Sequence, residues 1–443
     1  MLDTPTDPLD HSARTRPGAL AVADATERLT YAELRERSGA LAATLADLGV
    51  GPGDHVAIDL PAGVPHAVAL HGSILAGAIV QSLPPRGRAG VDVAPGAALV
   101  DAETIERSRR RSGAEWRTLR RHPREPLTRV LSSGTSGEPK AVELTAGNHL
   151  WSALASAANL GVDRDDAWLC CLPLNHVGGL SILVRSAVYG TAALIHDGFD
   201  VERVAAAIGG GEASIVSLVP TQLVRLLEAG AAIERPRLIL LGGGPVPLEV
   251  LDEALERGAS VVQTYGLTEA CSQVCTLAPE SARELAGSAG RPLLGVEVAA
   301  PEGEIRVRGP IVAPGSVSAD GWLLTGDLGR IDDEGCLWVV GRRGDLIVTG
   351  GENVRPERVE SALASHLGVA EVAVAGIDDR EWGQAVVAFV VPRAGSELRA
   401  EDLEALARRD LAPHEVPKRY VVVTELPRTA TGKLQRRRLA DAL

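Results

Sequence analysis

The stretch from Val130 to Thr145 reads VLSSGTSGEPKAVELT. Six of its first eleven residues are Ser, Thr or Gly, and Lys140 stands just beyond a proline. These residue types suit an anion. Glycines let the backbone come close to it, hydroxyls and N–H groups donate to it, and a lysine adds charge. The Walker pattern places Gly-Lys-Ser/Thr after four variable residues. Here Glu138 and Pro139 separate Gly137 from Lys140 instead. A Gly/Ser run is also what a flexible linker is made of. Taken alone, the stretch leaves a phosphate cradle and a linker both open.

The elements downstream give such a loop a setting. "AWLCCLPL", "TAALIH", "SIVSLV", "RLILLGGG" and "SVVQTYG" read as short, buried strands. "GLSILVRSAVYG", "VERVAAAIG", "PTQLVRLLEAG" and "LEVLDEALERG" read as the helices between them. Continuous apolar strands alternating with helices predict parallel pairing with right-handed crossovers. Ligands bind at the carboxyl ends of such strands. Three polar or Gly-rich segments fall there: "NHVGG", "GGGP" and "YGLTE". Upstream, residues 29–49 read as one amphipathic helix, capped by Thr30 with Glu33 and stopped by Gly49. Residues 83–115 read as loops and short elements. From about Val296, "EIRVRG", "GWLLTGD" and "GCLWVVGR" alternate with turns and predict a small antiparallel or barrel-like subdomain. Beyond Asp345 a further α/β mixture of about 98 residues ends in the basic tail "TGKLQRRRLADAL".

Bulk composition narrows the function classes. The chain has 443 residues, enough for two or three domains, and is 45% hydrophobic with only 3% aromatics. Its cores must therefore rest on Ala, Val and Leu. A net charge of −13 argues against a nucleic-acid partner, though not against a small anion in a local basic pocket. The five cysteines are odd in number and irregularly spaced. That predicts buried free thiols in a reducing cytoplasm, not a zinc or disulfide framework. No apolar run approaches the ~18 residues of a membrane span. The polar N-terminus does not read as a signal peptide.

Four separated segments then agree on one family. "SSGTSGEPKAV", "YGLTE", "TGDLG" followed by "GRRGDLIVTGGENVRPERVE", and "PRTATGKLQRRRL" stand in this order between Ser132 and Leu439. With them the chain resembles the adenylate-forming superfamily of acyl-CoA synthetases, adenylation domains and luciferases. The resemblance implies an α/β fold: a large N-terminal domain (1–343) with parallel-rich sheets and a barrel-like subdomain, then a small mobile α+β C-terminal domain (344–443). It implies ATP, Mg²⁺ and coenzyme A as cofactors and a small carboxylic acid as substrate, with a homodimer left open.

The resemblance also assigns roles. Ser132, Ser133, Gly134, Thr135, Ser136, Gly137 and Lys140 would clasp the β- and γ-phosphates, which resolves the opening alternative. Position 141 is Ala where the family usually has Gly. Gly242, Gly243 and Gly244 would line the adenine, and Tyr265, followed by Gly266, would stack on it. Thr268 would meet the α-phosphate and Glu269 would help hold Mg²⁺, a cation that wants oxygen ligands. Asp327 would take both ribose hydroxyls, with Arg342 behind it. Lys433 would bridge the attacking carboxylate and the α-phosphate, where negative charge grows. Gly344 would be the hinge between the two half-reactions. The "TGGENV" loop would line the pantetheine channel.

For the acid, the segment "WLCCLPLNHVGGLSILVRSAVYG" is most similar to the o-succinylbenzoate–CoA ligases of menaquinone synthesis. It departs from them at Asn175, where an aromatic is common. No Asp stands there to hold an amino group, which disfavours an amino acid. His176 and Arg185 are the candidates for the second carboxylate, with Arg185 equally readable as a surface residue. Another aryl- or acyl-CoA ligase and a carrier-protein adenylating enzyme remain alternatives. A non-catalytic nucleotide-binding protein is disfavoured by the retention of Glu269, Asp327 and Lys433.

Overall fold

The computed structural model describes residues 7–84, 91–111, 116, 119, 121–132, 140–428 and 434–443. They divide into two compact units. The first comprises residues up to 299, 306–324 and 332–337; the second comprises 300–305, 325–331 and 338–443.

The first unit is built on two parallel-rich sheets. The larger has nine strands, in the order Arg291–Pro292, Ser272–Thr276, Val261–Leu267, Leu238–Leu241, Ile215–Leu218, Ala167–Cys170, Ala192–Ile195, Leu20–Ala23 and Arg28–Thr30. Its inner pairs are parallel, as the alternation of strand and helix predicts. Both flanks are antiparallel. Four-residue strands such as Leu238–Leu241 are buried throughout, because helices cover both faces. The smaller sheet runs Ala98–Val100, His55–Ile58, Ile79–Ser82, Pro126–Ser132 and Lys140–Thr145. Its last pair is an antiparallel hairpin.

The helix expected over residues 29–49 spans Tyr31–Asp47, and Thr30 and Glu33 form the reciprocal capping box. Gly49 follows with a positive φ of 85° that ends the helix cheaply. Tyr31 is buried, and its hydroxyl lies between the Ser186 and Thr191 carbonyls, pinning this helix to the last turn of Val177–Tyr189 and the residues just after it. The five cysteines are free and buried, as expected.

The second unit closes around a five-stranded sheet dominated by the hairpin Val369–Asp379 with Gly383–Pro392. Alternation divides its side chains. Val374, Val386, Ala388 and Val390 pack with Val359, Leu363, Leu403 and Ala407 from two helices. Ala373, Ala375, Val387 and Phe389 pack with Leu426 and Leu439 of the C-terminal segment. Strand periodicity of two thus builds two small cores from one hairpin. The strands read from "EIRVRG", "GWLLTGD" and "GCLWVVGR" are present as Glu304–Arg308, Leu323–Ile331 and Leu337–Arg342.

Candidate active site

In the first unit the phosphate segment interrupts a hairpin. Ser132 pairs with Lys140 across the two strands, so the ends of SSGTSGEPK stand opposite each other. Ser133, Gly134, Thr135, Ser136 and Gly137 lie outside the described residues. The Ser132 hydroxyl is buried and meets no hydrogen-bond partner among the described residues. Lys140 is exposed. Both strands of this hairpin pack against the short turn Thr268–Ala270. Ser132, Lys140, Thr268 and Glu269 therefore belong to one neighbourhood.

That turn is reached by the strand Val261–Leu267, which leaves the parallel sheet carrying Tyr265 half-buried. Its neighbour then turns antiparallel, and the register shifts between Tyr265 and Gly266. A Cβ on Gly266 would land on the Ser272 carbonyl oxygen, so only glycine fits. Glu269 sits on a 3₁₀ turn, not at the start of an α-helix, and is half-buried. Its carbonyl accepts from the Ala313 N–H at 2.8 Å. Cys271 (φ 50°) and Ser272 (φ 91°) follow in left-handed conformations without being glycine. Such strain of about 1–3 kcal/mol per residue persists only where the surroundings over-determine it.

The glycines at the neighbouring strand end have a geometric reason. A Cβ on Gly242 would stand 2.8 Å from Thr264 Cγ2, and Gly243 has φ 84°. The chain from Gly242 therefore lies flush against the strand that carries Tyr265, with no side chain between. A flat ring could slide along such an edge.

His176 is the N-cap residue of the helix Val177–Tyr189 and is half-buried at the carboxyl end of the Ala167–Cys170 strand. Arg185 lies nine residues on and is only 2% exposed. The surface reading of Arg185 is therefore wrong. Its Nη2 donates to Ser152 Oγ at 2.9 Å, and its Cζ stands 5.9 Å from the Trp168 ring centroid. Nε is buried with no hydrogen-bond partner among the described residues. Burial pulls the guanidinium pKa down, the expected direction for a desolvated cation.

In the second unit Arg342 Nε donates to Asp327 Oδ1 at 2.8 Å. The Asp327 N–H donates to Thr325 Oγ1, which in turn donates to the Ile305 carbonyl. Arg342 thus holds the Asp327 carboxylate, and Thr325 holds its backbone. Gly344 lies in the turn Arg343–Asp345 with open space where a Cβ would be. Lys433 lies outside the described residues.

Sequence reasoning passed over one element here. The helix Ala146–Leu160 follows the phosphate hairpin directly, and Thr145 and Asn148 form its capping box. Asn148 also donates to the Pro310 and Val312 carbonyls. His149 and Ser152 reach Cys271 from the same helix. Burial, with help from Arg185, lowers the His149 pKa to about 4, so the ring is neutral. The capping pattern "TAGN" was the available signal.

These segments match a known family over most of the chain. The AMP-binding enzyme family covers residues 9–91 and 93–317, and the AMP-binding enzyme C-terminal domain covers 358–433. The chain belongs to the AMP-binding enzyme family. Among individual relatives, a 2-succinylbenzoate–CoA ligase of Bacillus subtilis is 43% identical over 335 residues, 71% of this chain and 68% of that one. One of Bacillus licheniformis is 36% identical over 477 residues, covering 97% and 98%. Among solved structures, the o-succinylbenzoate CoA synthetase of Bacillus subtilis in complex with the acyl-adenylate intermediate OSB-AMP has a TM-score of 0.90. It is 36% identical and covers 100% of this chain and 99% of its own. The same synthetase in complex with ATP and magnesium ion has a TM-score of 0.87 at 36% identity, over 98% of this chain and 99% of its own. This AMP-binding enzyme thus has the α/β fold, large N-terminal portion and small C-terminal domain expected from its motifs.

Proposed function

We propose that this AMP-binding enzyme is an ATP-dependent acid–CoA ligase that converts o-succinylbenzoate to o-succinylbenzoyl-CoA through an acyl-adenylate. The observation that carries this reading is the end-to-end match, at TM-score 0.90, to the synthetase holding OSB-AMP. In the first half-reaction the aliphatic carboxylate attacks the α-phosphorus and pyrophosphate leaves. In the second the thiol of coenzyme A attacks the acyl carbon and AMP leaves, taking the carboxylate oxygen with it.

The residues meet the needs of that chemistry, which are alignment and charge cancellation more than covalent help. The hairpin that ends at Ser132 and resumes at Lys140 holds the outer phosphates. Thr268 takes the α-phosphate, and Tyr265 with Gly242, Gly243 and Gly244 takes the adenine. Asp327, oriented by Arg342, takes the ribose hydroxyls, and Lys433 offsets charge at the reacting centre. Among the described residues no group of three or more His, Cys, Asp or Glu side chains converges on one point. Magnesium keeps several waters and favours one or two carboxylates plus substrate phosphates. Glu269, beside the phosphate hairpin, fits as the one protein ligand. When bound, the ion neutralises the phosphates.

Residues 1–343 bind ATP and acid, and residues 344–443 form the mobile domain carrying Lys433. His176 and Arg185 face the second carboxylate, which cannot be buried unpaired without a large cost. No helix among the described residues is long and apolar enough to cross a membrane. We place the enzyme in the cytoplasm, where its five thiols stay reduced. ATP–pyrophosphate exchange over a panel of acids tests the reading. o-Succinylbenzoate should support exchange at least tenfold better than benzoate, medium-chain fatty acids or amino acids, a margin of about 1.4 kcal/mol. A preference for any of those overturns the substrate and leaves the family standing.

A further inference from the structure

The turn that presents Thr268 and Glu269 ends in two residues in left-handed conformations, and one helix reaches the first of them, Cys271. Ser152 donates to the Cys271 carbonyl at 2.7 Å. His149, three residues earlier and on the same face, places Nδ1 3.6 Å from the Cys271 thiol. The other ring nitrogen, Nε2, lies 2.8 Å from Thr128 Oγ1. Thr128 belongs to the strand Pro126–Ser132, four residue pairs along the hairpin from Ser132, where the phosphate segment begins. Thr128, His149, Cys271 and Ser152 are all buried.

We propose that His149 is a positioning residue that fixes the distance between the phosphate hairpin and the Thr268–Glu269 turn. It spans the two with one rigid, neutral ring. An imidazole suits the task because its two nitrogens bond in opposite directions with no rotatable bond between them. Asn148 reinforces the same register from the adjacent position. It holds the Pro310 and Val312 carbonyls, and the next residue, Ala313, clamps the Glu269 carbonyl. His149 touches no substrate. It acts by keeping the α-phosphate contact and the outer-phosphate contacts at one fixed separation, where a shift of about 1 Å costs on the order of 100-fold in rate.

The proposal rests on the nucleotide reading of this site, and the experiment separates the two. Thr128→Val, His149→Gln and the double variant are compared with the wild type by steady-state ATP–pyrophosphate exchange, with MgATP and acid varied in turn, and by thermal unfolding. Thr128→Val is nearly isosteric and removes only the hydroxyl, so it remains informative if His149→Gln folds poorly. Each single variant should raise the KM for MgATP about tenfold, the size of a buried hydrogen bond that loses one partner. The KM for the acid should move less than twofold by the same argument. The double variant should be no worse than His149→Gln alone, because both break the same bridge. Variants that lose thermal stability while keeping both KM values overturn the proposal, as do equal rises in the two KM values. A wild type without exchange activity overturns the nucleotide reading and the bridge with it.

Discussion

Of the chain's 45 lysines and arginines, three are lysines: Lys140, Lys418 and Lys433. A protein that otherwise uses arginine for its positive charge keeps lysine in the phosphate segment and in the C-terminal "TGKL". The two side chains are not interchangeable. Arginine is a rigid planar fork, whereas lysine is a compact point charge on a long stem that can follow a moving oxygen. Lys418 instead lies over the Trp382 ring, 4.5 Å from its centroid. Lys433→Ala should lower acyl-adenylate formation by roughly 10²–10³, the usual cost of removing one donor aimed at developing charge. Thioester formation from a preformed acyl-adenylate should be nearly unchanged. Single-turnover assays of each half-reaction distinguish this from a general defect, in which both rates would drop together.

At the level of elements, the alternation from Ala167 to Leu267 was legible because each strand is a short apolar run and each helix is amphipathic. The helix Val201–Gly209, with Val204, Ala207 and Ile208 inward, is typical. The smaller sheet was not legible. His55–Ile58 and Ile79–Ser82 are four residues long, largely buried and parallel, so they carry no alternation to read. The hairpin Ile347–Thr349 with Glu352–Val354 was also missed, because its glycine turn reads as a loop. The site followed the same division. Loops with a motif were singled out from the motif, while Ser152 and His149 lie on a helix announced only by its capping pattern. Gly344 sits just before Asp345, which Arg436 ties at 3.3 Å while also bonding Glu357 and Glu360. Asp345 is thus anchored within the second unit, and Arg343 on the other side of Gly344 pairs with Glu304 of the same unit at 3.1 Å, so the hinge at Gly344 stands as a proposal from the sequence. Gly344→Pro fixes φ near −65°. It should leave pyrophosphate exchange within a few-fold of wild type and slow CoA consumption at least tenfold, so that acyl-adenylate accumulates. Unimpaired thioester formation would rule out the hinge.

For the whole molecule, the buried histidines set how stability depends on pH. His66, His71 and His149 are all buried, and burial is the leading cause that lowers each pKa to about 4. In the unfolded chain each returns to about 6.5. Between these two values the unfolded chain binds more protons than the folded one, so stability rises with pH across that window. It is complete above about 6.5 and is lost progressively as the pH falls toward 4. Asp7 works the other way. Burial raises its carboxyl to about 6, so it favours the folded state at the acid end. Burial raises Glu357 in the same direction as Asp7 and lowers His196 in the same direction as the other three imidazoles, so the imidazoles still outnumber the carboxyls. Each fully buried histidine is worth on the order of 3 kcal/mol over the window, a large share of the 5–15 kcal/mol that holds a typical domain together. Denaturant midpoints should therefore fall steeply between pH 6.5 and 4.5 in the absence of nucleotide. His71 isolates the effect, because burial alone accounts for its shift. His71→Leu should flatten the pH dependence by about a third while changing the midpoint at pH 7.5 much less. Equal slopes for His71→Leu and wild type would show that the acid lability comes from other groups.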